Sequence, residues 1–328
     1  MNRTVSALWG KAGMPDKDVK PFSCAHRAMG TVFEIVIYSD RDEFFLRSLT
    51  ENLFADLDRW EQEMSLFVAG SDIDRINESA GRQPVRVSRE VFELIRTAVG
   101  YSELTGGYFD ITVGPLMNLW GFYRKRDSAP SEDEIEAVLG KIGYENIVLD
   151  DRDGGVFLSK EGMSIDLGGI AKGCSLRALI EGLKKFELEN FLINAGRSSV
   201  YAAGSPPAAE YWEAEFPVME GGGSIEEDIR LKDNAVSISG SFEHYRSYGG
   251  KRYSHILNPL TGRPESDTVL TAVIDSDPLD CEILSTAFSA MGTEKTRTFL
   301  ESDSRKGCYD VIVLFYDSDG NLKKAAFN

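Results

Sequence analysis

At residues Ser164–Gly173 the chain reads SIDLGGIAKG. A strand-like run ends in a carboxylate, two adjacent glycines follow, and Ala171, Cys174, Leu176, Leu179, Ile180 and Leu183 then recur at helical spacing. The pattern predicts a strand into Asp166, a glycine turn, and a helix from about Ile170 to Phe186. Glycines at such a turn let backbone N–H groups approach an oxyanion closely, and the helix start adds positive partial charge. Lys172 falls in the first helical turn, where the helix dipole favours anions. A ligand phosphate would compensate it. Neither the P-loop signature nor the dinucleotide glycine fingerprint is present. An ordinary turn, with Asp166 as N-cap and Lys172 solvated, accounts for this stretch equally well.

The rest of the chain alternates helices and short strands without a repeat. TVFEIVIYS (31–39) alternates as a half-buried strand, and Leu46, Leu49, Leu53, Leu57 and Trp60 stripe a helix over Phe44–Glu63. A second helix over Val91–Leu104 stops at Thr105-Gly106-Gly107. Ser131-x-x-Glu134 is a capping signature for a short helix, and residues 146–159 read as a hairpin. The second half holds the strands NFLINAG, AVSIS, RYSHIL, VLTAVID and YDVIVLFYD, interrupted by one late helix, Pro278–Met291. Residues 204–209 and 220–224 read as flexible loops. The expected fold is α+β: a single large unit over residues 25–328, with a mixed, largely antiparallel sheet, flanking helices and room for two lobes. Residues 1–24 read as a flexible tail.

A formal charge of −17 excludes broad attraction to nucleic acid. An anionic ligand therefore needs local donors, a cation or a metal. No apolar stretch is long enough for a transmembrane segment. The four cysteines are scattered, without zinc-site spacing, and read as buried or idle thiols. The N-terminal residues are too weakly apolar for a secretory leader, so the chain as given reads as cytoplasmic, or as an envelope protein whose leader was removed. The sequence leaves both open.

Three further stretches could carry chemistry. In DPLDCEILSTAFSAMG, Asp277-Pro278 starts a helix, and Glu282 and Thr286 share one face, where a carboxylate and a hydroxyl can offer oxygens to Mg²⁺. An exposed Glu and a back-bonded Thr explain the pair as well. YFDITVGPLMNLWGF surrounds Asp110 with rings that could line a pocket for a flat heterocycle or simply pack a core. His255, one of three histidines, precedes an Asn-Pro and Thr-Gly turn and could accept a proton near neutral pH.

Taken in order, AMGTVFEIVIY, MSLFVAGSDIDRIN, YFDITVGPLMNLWGF, IDLGGIAKG, INAG, SISGSFEHY, RYSHILNPLTGRP and the Glu282-x-x-x-Thr286 helix resemble the ApbE family of flavin transferases over roughly Ala28–Gly292. The resemblance implies binding of FAD and Mg²⁺, and transfer of FMN to a Thr or Ser hydroxyl of an acceptor flavoprotein with release of AMP. It implies Glu282, Thr286 and a backbone carbonyl near Gly169 as metal ligands. It implies Met29, Phe67, Phe109 and Asp110 around the isoalloxazine and adenosine parts, and Lys172 and Ile256 on the dinucleotide. Asp166 matches a residue that holds the flavin nucleotide or its metal shell. His255 matches the histidine assisting the acceptor hydroxyl. The family usually has Asp where Glu282 stands, glycine where Arg197 stands, and Asp where Asn258 stands; tyrosine and aspartate are frequent at Cys174 and Arg177. These departures keep two alternatives open: an FAD-binding protein without transfer, and a pyrophosphatase giving FMN and AMP. A homodimer is compatible with all three.

Overall fold

The computed structural model describes residues 20–196, 198–214, 229–240, 244–264, 268–302 and 307–327. They fall into two compact units. One holds residues up to 59 with 172–237 and 274–281; the other holds 60–171, 238–273 and the residues from 282 on. Arg197, the loop 220–224 and Ser241–Glu243 of the SISGSFEHY motif lie outside the described residues.

The first unit is a sheet covered by helix. Its strands lie in the order Phe22–Ala28, Thr31–Tyr38, Asn190–Ala195, Ser199–Ala203 and the start of Asn234–Gly240, each pair antiparallel. Alternation in Thr31–Tyr38 places Phe33, Ile35 and Ile37 at 0 % exposure, the half-buried pattern its sequence predicts. Asn190–Ala195 is buried along nearly its whole length, which suits its continuous apolar run. The helix Ala171–Lys184 turns Leu176, Leu179 and Leu183 into the core. The first strand corrects the expected tail: Phe22, Ser23 and Cys24 already pair with Ile37, Val36 and Ile35. An edge strand needs only its backbone ladder and one apolar face, so its polar residues hid it.

The second unit is built around helices and smaller sheets. Val85–Arg86, Gly155–Leu158 and Ile147–Asp150 form a three-stranded sheet in that order. The helix Arg89–Leu104, capped by Ser88, buries Val91, Leu94, Ile95 and Ala98. Glu132–Leu139 starts with the predicted capping box, both reciprocal bonds of Ser131 and Glu134 being present. The helix Pro278–Met291 enters this unit at Glu282 and buries Ile283, Leu284, Ala287 and Phe288 completely. A second late helix, Thr293–Ser302, was not expected. Its strongly polar stripe conceals the buried Thr296 and Leu300.

The described chain is therefore a mixed α+β protein with eight α-helices and antiparallel pairing in every register given above. No described helix is long and apolar enough to cross a membrane. All four cysteines are free; Cys281 is buried, Cys24 and Cys174 partly so, and Cys308 is exposed.

Candidate functional site

Ser164–Asp166, expected as a strand, is an extended segment outside any sheet. Side-chain groups replace the missing neighbour. The Ile165 amide donates to Asn77 Oδ1 at 2.7 Å, and Asn77 Nδ2 donates to the Ile165 carbonyl at 3.0 Å. One residue on, the Asp166 amide donates to the Ile111 carbonyl at 2.8 Å. Gly114 allows this approach, because a Cβ there would lie 2.3 Å from Ser164 Oγ and 2.8 Å from its carbonyl oxygen. The alternation Met163, Ile165, Leu167, all at or below 2 % exposure, anchors the segment and turns half-buried Asp166 the other way.

Asp166 closes its own turn. Its Oδ1 accepts the Gly168 amide at 2.7 Å, and Ile170 and Ala171 then donate to the Leu167 carbonyl as the helix begins. Its Oδ2 accepts a hydrogen bond from the hydroxyl of Tyr123. Burial, and then the Asp166 charge beside it, raise the Tyr123 phenol well above its ordinary value, so it stays a donor. Phe67, 72 % exposed, meets the Tyr123 ring edge-on at 5.5 Å and 87°. Tyr123 is the residue that sequence reading missed. It follows the aromatic stretch ending at Phe122 by one position.

Beyond the glycine turn lies the late helix. A Cβ on Gly169 would sit 3.3 Å from Phe109 Cε2 and 3.6 Å from Thr286 Oγ1, so the bare α-carbon faces the threonine. Thr286 donates its hydroxyl to the Glu282 carbonyl at 3.0 Å, which leaves its oxygen lone pairs as acceptors. Ser239 Oγ lies 3.3 Å from Thr286 Oγ1 and 3.0 Å from Ser285 Oγ. Glu282 is 3 % exposed and Thr286 half-buried. No group of three His, Cys, Asp or Glu side chains suited to a metal occurs among the described residues. A cation here would use hydroxyl and carbonyl oxygens beside a single carboxylate. That donor chemistry fits Mg²⁺ and does not fit zinc or copper.

Asp110 is held by three hydrogen bonds from its own neighbourhood. Its Oδ1 accepts from the Thr112 amide at 2.8 Å and the Thr112 hydroxyl at 2.7 Å, and its Oδ2 from the Tyr144 amide at 2.9 Å. Burial pushes its carboxyl above the usual range, against the opposing pull of those hydrogen bonds. His255, expected on a continuous strand, sits in the break between Lys251–Ser254 and Leu257–Asn258. Its Nδ1 lies 3.0 Å from the His244 carbonyl oxygen. A carbonyl can only accept, so Nδ1 carries a proton, and in the neutral ring Nε2 holds the lone pair. The His255 ring meets Phe122, the neighbour of Tyr123, at 6.4 Å. Half-buried Ile256 follows, its amide on Ser254 Oγ at 3.1 Å.

Within the second unit, Phe67 thus reaches Asp166 through Tyr123, and Gly169 lies beside Phe109 and the Thr286 that bonds the Glu282 carbonyl; Asp110 precedes the Ile111 that receives the Asp166 amide, and His255 meets Phe122. Met29 and Lys172 belong to the first unit. Met29 occupies the two-residue turn Met29-Gly30 with φ of 52°, a left-handed conformation unusual for its residue type. Lys172 is half-buried in the first turn of the helix Ala171–Lys184.

The class these features define is a large α+β protein built on antiparallel sheet, and solved structures share it. The ApbE protein of Thermotoga maritima matches with a TM-score of 0.80 and 32 % identity, over 93 % of this chain and 97 % of that one. The flavin transferase ApbE of Vibrio cholerae matches with a TM-score of 0.80 and 25 % identity, over 94 % and 98 %. The FAD:protein FMN transferase of Klebsiella pneumoniae (strain 342) is 33 % identical over 283 residues, 85 % of each chain. The ApbE family model matches residues 29–311. The chain belongs to the ApbE family.

Proposed function

We propose that this protein transfers FMN from FAD to a threonine or serine hydroxyl of an acceptor flavoprotein, with Mg²⁺ and with AMP as the leaving product. Its relatives are named FAD:protein FMN transferase, which supports flavin transfer as the activity. The observation that carries the finer reading is the bare Gly169 α-carbon facing the Thr286 hydroxyl at the foot of a carboxylate-held glycine turn. A chain with a charge of −17 has few places to hold a pyrophosphate, and this turn sets the Gly169 backbone beside the Thr286 hydroxyl, an oxygen suited to a hard cation.

In this reading the acceptor oxygen forms a bond to the FMN-side phosphorus of FAD. The bond from that phosphorus to the bridging oxygen breaks, and AMP departs with the oxygen. His255 Nε2 takes the hydroxyl proton, its tautomer fixed by the bond from Nδ1 to His244. Glu282, Thr286 and the Gly169 carbonyl would hold Mg²⁺, which supplies neutralisation of phosphate charge when bound. Gly169 offers its backbone amide, the Gly168 amide being held by Asp166. Asp166, fixed by Gly168 and Tyr123, orients the nucleotide. Phe67 offers its exposed ring to a flat part of FAD, and Phe109, buried beside Gly169, supports the turn.

The test is AMP release from FAD with and without an acceptor fragment, in Mg²⁺ and in chelator. Transfer predicts AMP only when acceptor and metal are both present. Acceptor-independent AMP would make the protein a pyrophosphatase, and bound but unaltered FAD would make it a binding protein.

A further inference from the structure

Thr286 has a second hydroxyl beside it. Ser239 Oγ, on the strand Asn234–Gly240, lies 3.3 Å from Thr286 Oγ1, and both residues belong to the second unit. Each of them interrupts a buried run. Residues 281–291 are all buried except Thr286, and residues 235–240 are all buried except Ser239. Strand and helix therefore open at one place, with a hydroxyl from each. The bare Gly169 α-carbon lies against the same threonine, since an added Cβ would stand 3.6 Å from Thr286 Oγ1.

The hydroxyl protons of this cluster do not cover its oxygens. Ser285 Oγ and Thr286 Oγ1 approach the Glu282 carbonyl at 3.1 and 3.0 Å, and a carbonyl only accepts. Ser239 Oγ approaches both of those hydroxyls, Ser285 at 3.0 Å and Thr286 at 3.3 Å. Each hydroxyl has one proton, so one of these approaches holds none. With Ser285 and Thr286 donating to the carbonyl, the Ser239 proton goes to the nearer Ser285. Ser239 and Thr286 then turn lone pairs toward each other, an arrangement that a cation placed against both oxygens stabilises. Neighbouring ligands of Mg²⁺, bonded at about 2.0–2.1 Å, stand about 3 Å apart. That is close to the 3.3 Å between these two oxygens.

We infer that Ser239 Oγ is a further oxygen ligand of the cation site, beside Thr286. The inference rests on the proposed reading for the cation at Thr286, and it adds to that ligand set a neutral hydroxyl supplied by the sheet. Ser239 also fastens the strand to the helix, because its carbonyl accepts the Ser289 hydroxyl at 3.3 Å. Ligand and fastener are separable: the first needs the Ser239 side-chain oxygen, and the second can be weakened at Ser289.

The probe is Mn²⁺, titrated into the full chain with saturating FAD and followed by electron paramagnetic resonance. Urea denaturation reads stability, and flavin fluorescence in chelator reads FAD affinity. Ser239→Ala should weaken Mn²⁺ binding about tenfold and leave FAD affinity in chelator unchanged. Ser239→Thr keeps the oxygen and should bind Mn²⁺ within about twofold of the natural protein. Ser289→Ala removes the fastening bond alone and should lower stability with Mn²⁺ affinity unchanged. Ser239→Cys puts sulfur in place of oxygen; it should lose Mn²⁺ affinity and gain Cd²⁺-dependent thiolate absorption beyond that of the natural protein. Should Ser239→Ala not fold, the Cd²⁺ signal of Ser239→Cys decides. Unchanged Mn²⁺ affinity in Ser239→Ala, with Thr286→Ala losing it, would overturn the inference and leave the proposed ligands standing. So would equal Mn²⁺ losses in Ser239→Ala and Ser289→Ala, which would make Ser239 a fastener only. Absence of Mn²⁺ binding by the natural protein would overturn both the inference and the metal of the proposed function. The expected metal responses in a protein that transfers no FMN would defeat the transferase reading and leave Ser239 a ligand.

Discussion

Asp110 and Asp166 sit on adjacent turns joined by one hydrogen bond, from the Asp166 amide to the carbonyl of Ile111, and they are held in opposite ways. Asp110 is 6 % exposed and accepts three donors supplied by Thr112 and Tyr144. Asp166 is half-buried, accepts one backbone amide from its own turn, and gives its other oxygen to Tyr123. That tyrosine supports a largely exposed Phe67 ring. The first carboxylate ties segments of the fold together. The second is held by one amide of its own turn and by a tyrosine side chain. Similar residues on neighbouring turns thus divide into a structural tie and a carboxylate that, in the proposed function, faces the nucleotide.

The largest expected difference is in stability. Asp110→Ala strands two amides and a hydroxyl in a buried place and should cost about 3 kcal/mol, whereas Asp166→Ala should cost about 1 kcal/mol. Urea denaturation of both variants measures this, and equal losses would erase the distinction between the two turns. Ligand affinity should show the reverse order. Asp166→Asn should weaken FAD binding about tenfold by flavin fluorescence, through a lost charge-assisted contact. Tyr123→Phe removes only the positioning hydroxyl and should weaken FAD binding about threefold, with the fold unaffected. No effect of either change on FAD would mean that Asp166 is a second structural tie.

The smallest effect is in pH. Burial raises the Asp110 carboxyl above its ordinary value of 3.8, so the folded protein holds that proton more tightly than the unfolded chain. The associated stability is full below the ordinary value and fades as pH rises through the elevated one. The margin of the natural protein over Asp110→Asn should therefore narrow as pH rises above that ordinary value. A widening margin would show that the three hydrogen bonds outweigh burial.

Much of this architecture was legible because local signals and tertiary packing agree. The Ser131–Glu134 capping box formed as read, and Asp277 caps the late helix, its Oδ1 accepting the Leu279 amide at 2.9 Å. The order of motifs already resembled the family that the chain proved to belong to. Failures came where a pattern has two physical solutions. Met163, Ile165 and Leu167 alternate and are buried as in a strand, yet the partners are the Asn77 side-chain amide and the carbonyl of Ile111, which starts a 3-10 turn. The link from Tyr123 to Asp166 spans 43 positions and leaves no periodic trace in the sequence. The spacing of Glu282 and Thr286 was visible, whereas the position of Gly169 against Thr286 depends on the fold.

The most direct measurement of the central claim is the intact mass of an acceptor flavoprotein fragment after incubation with this protein, FAD and Mg²⁺, followed by mapping of the modified residue. Covalent FMN on a threonine or serine, with AMP formed in equal amount and no adduct in chelator, is the predicted result. An unmodified acceptor in the presence of bound FAD and excess Mg²⁺ would contradict it.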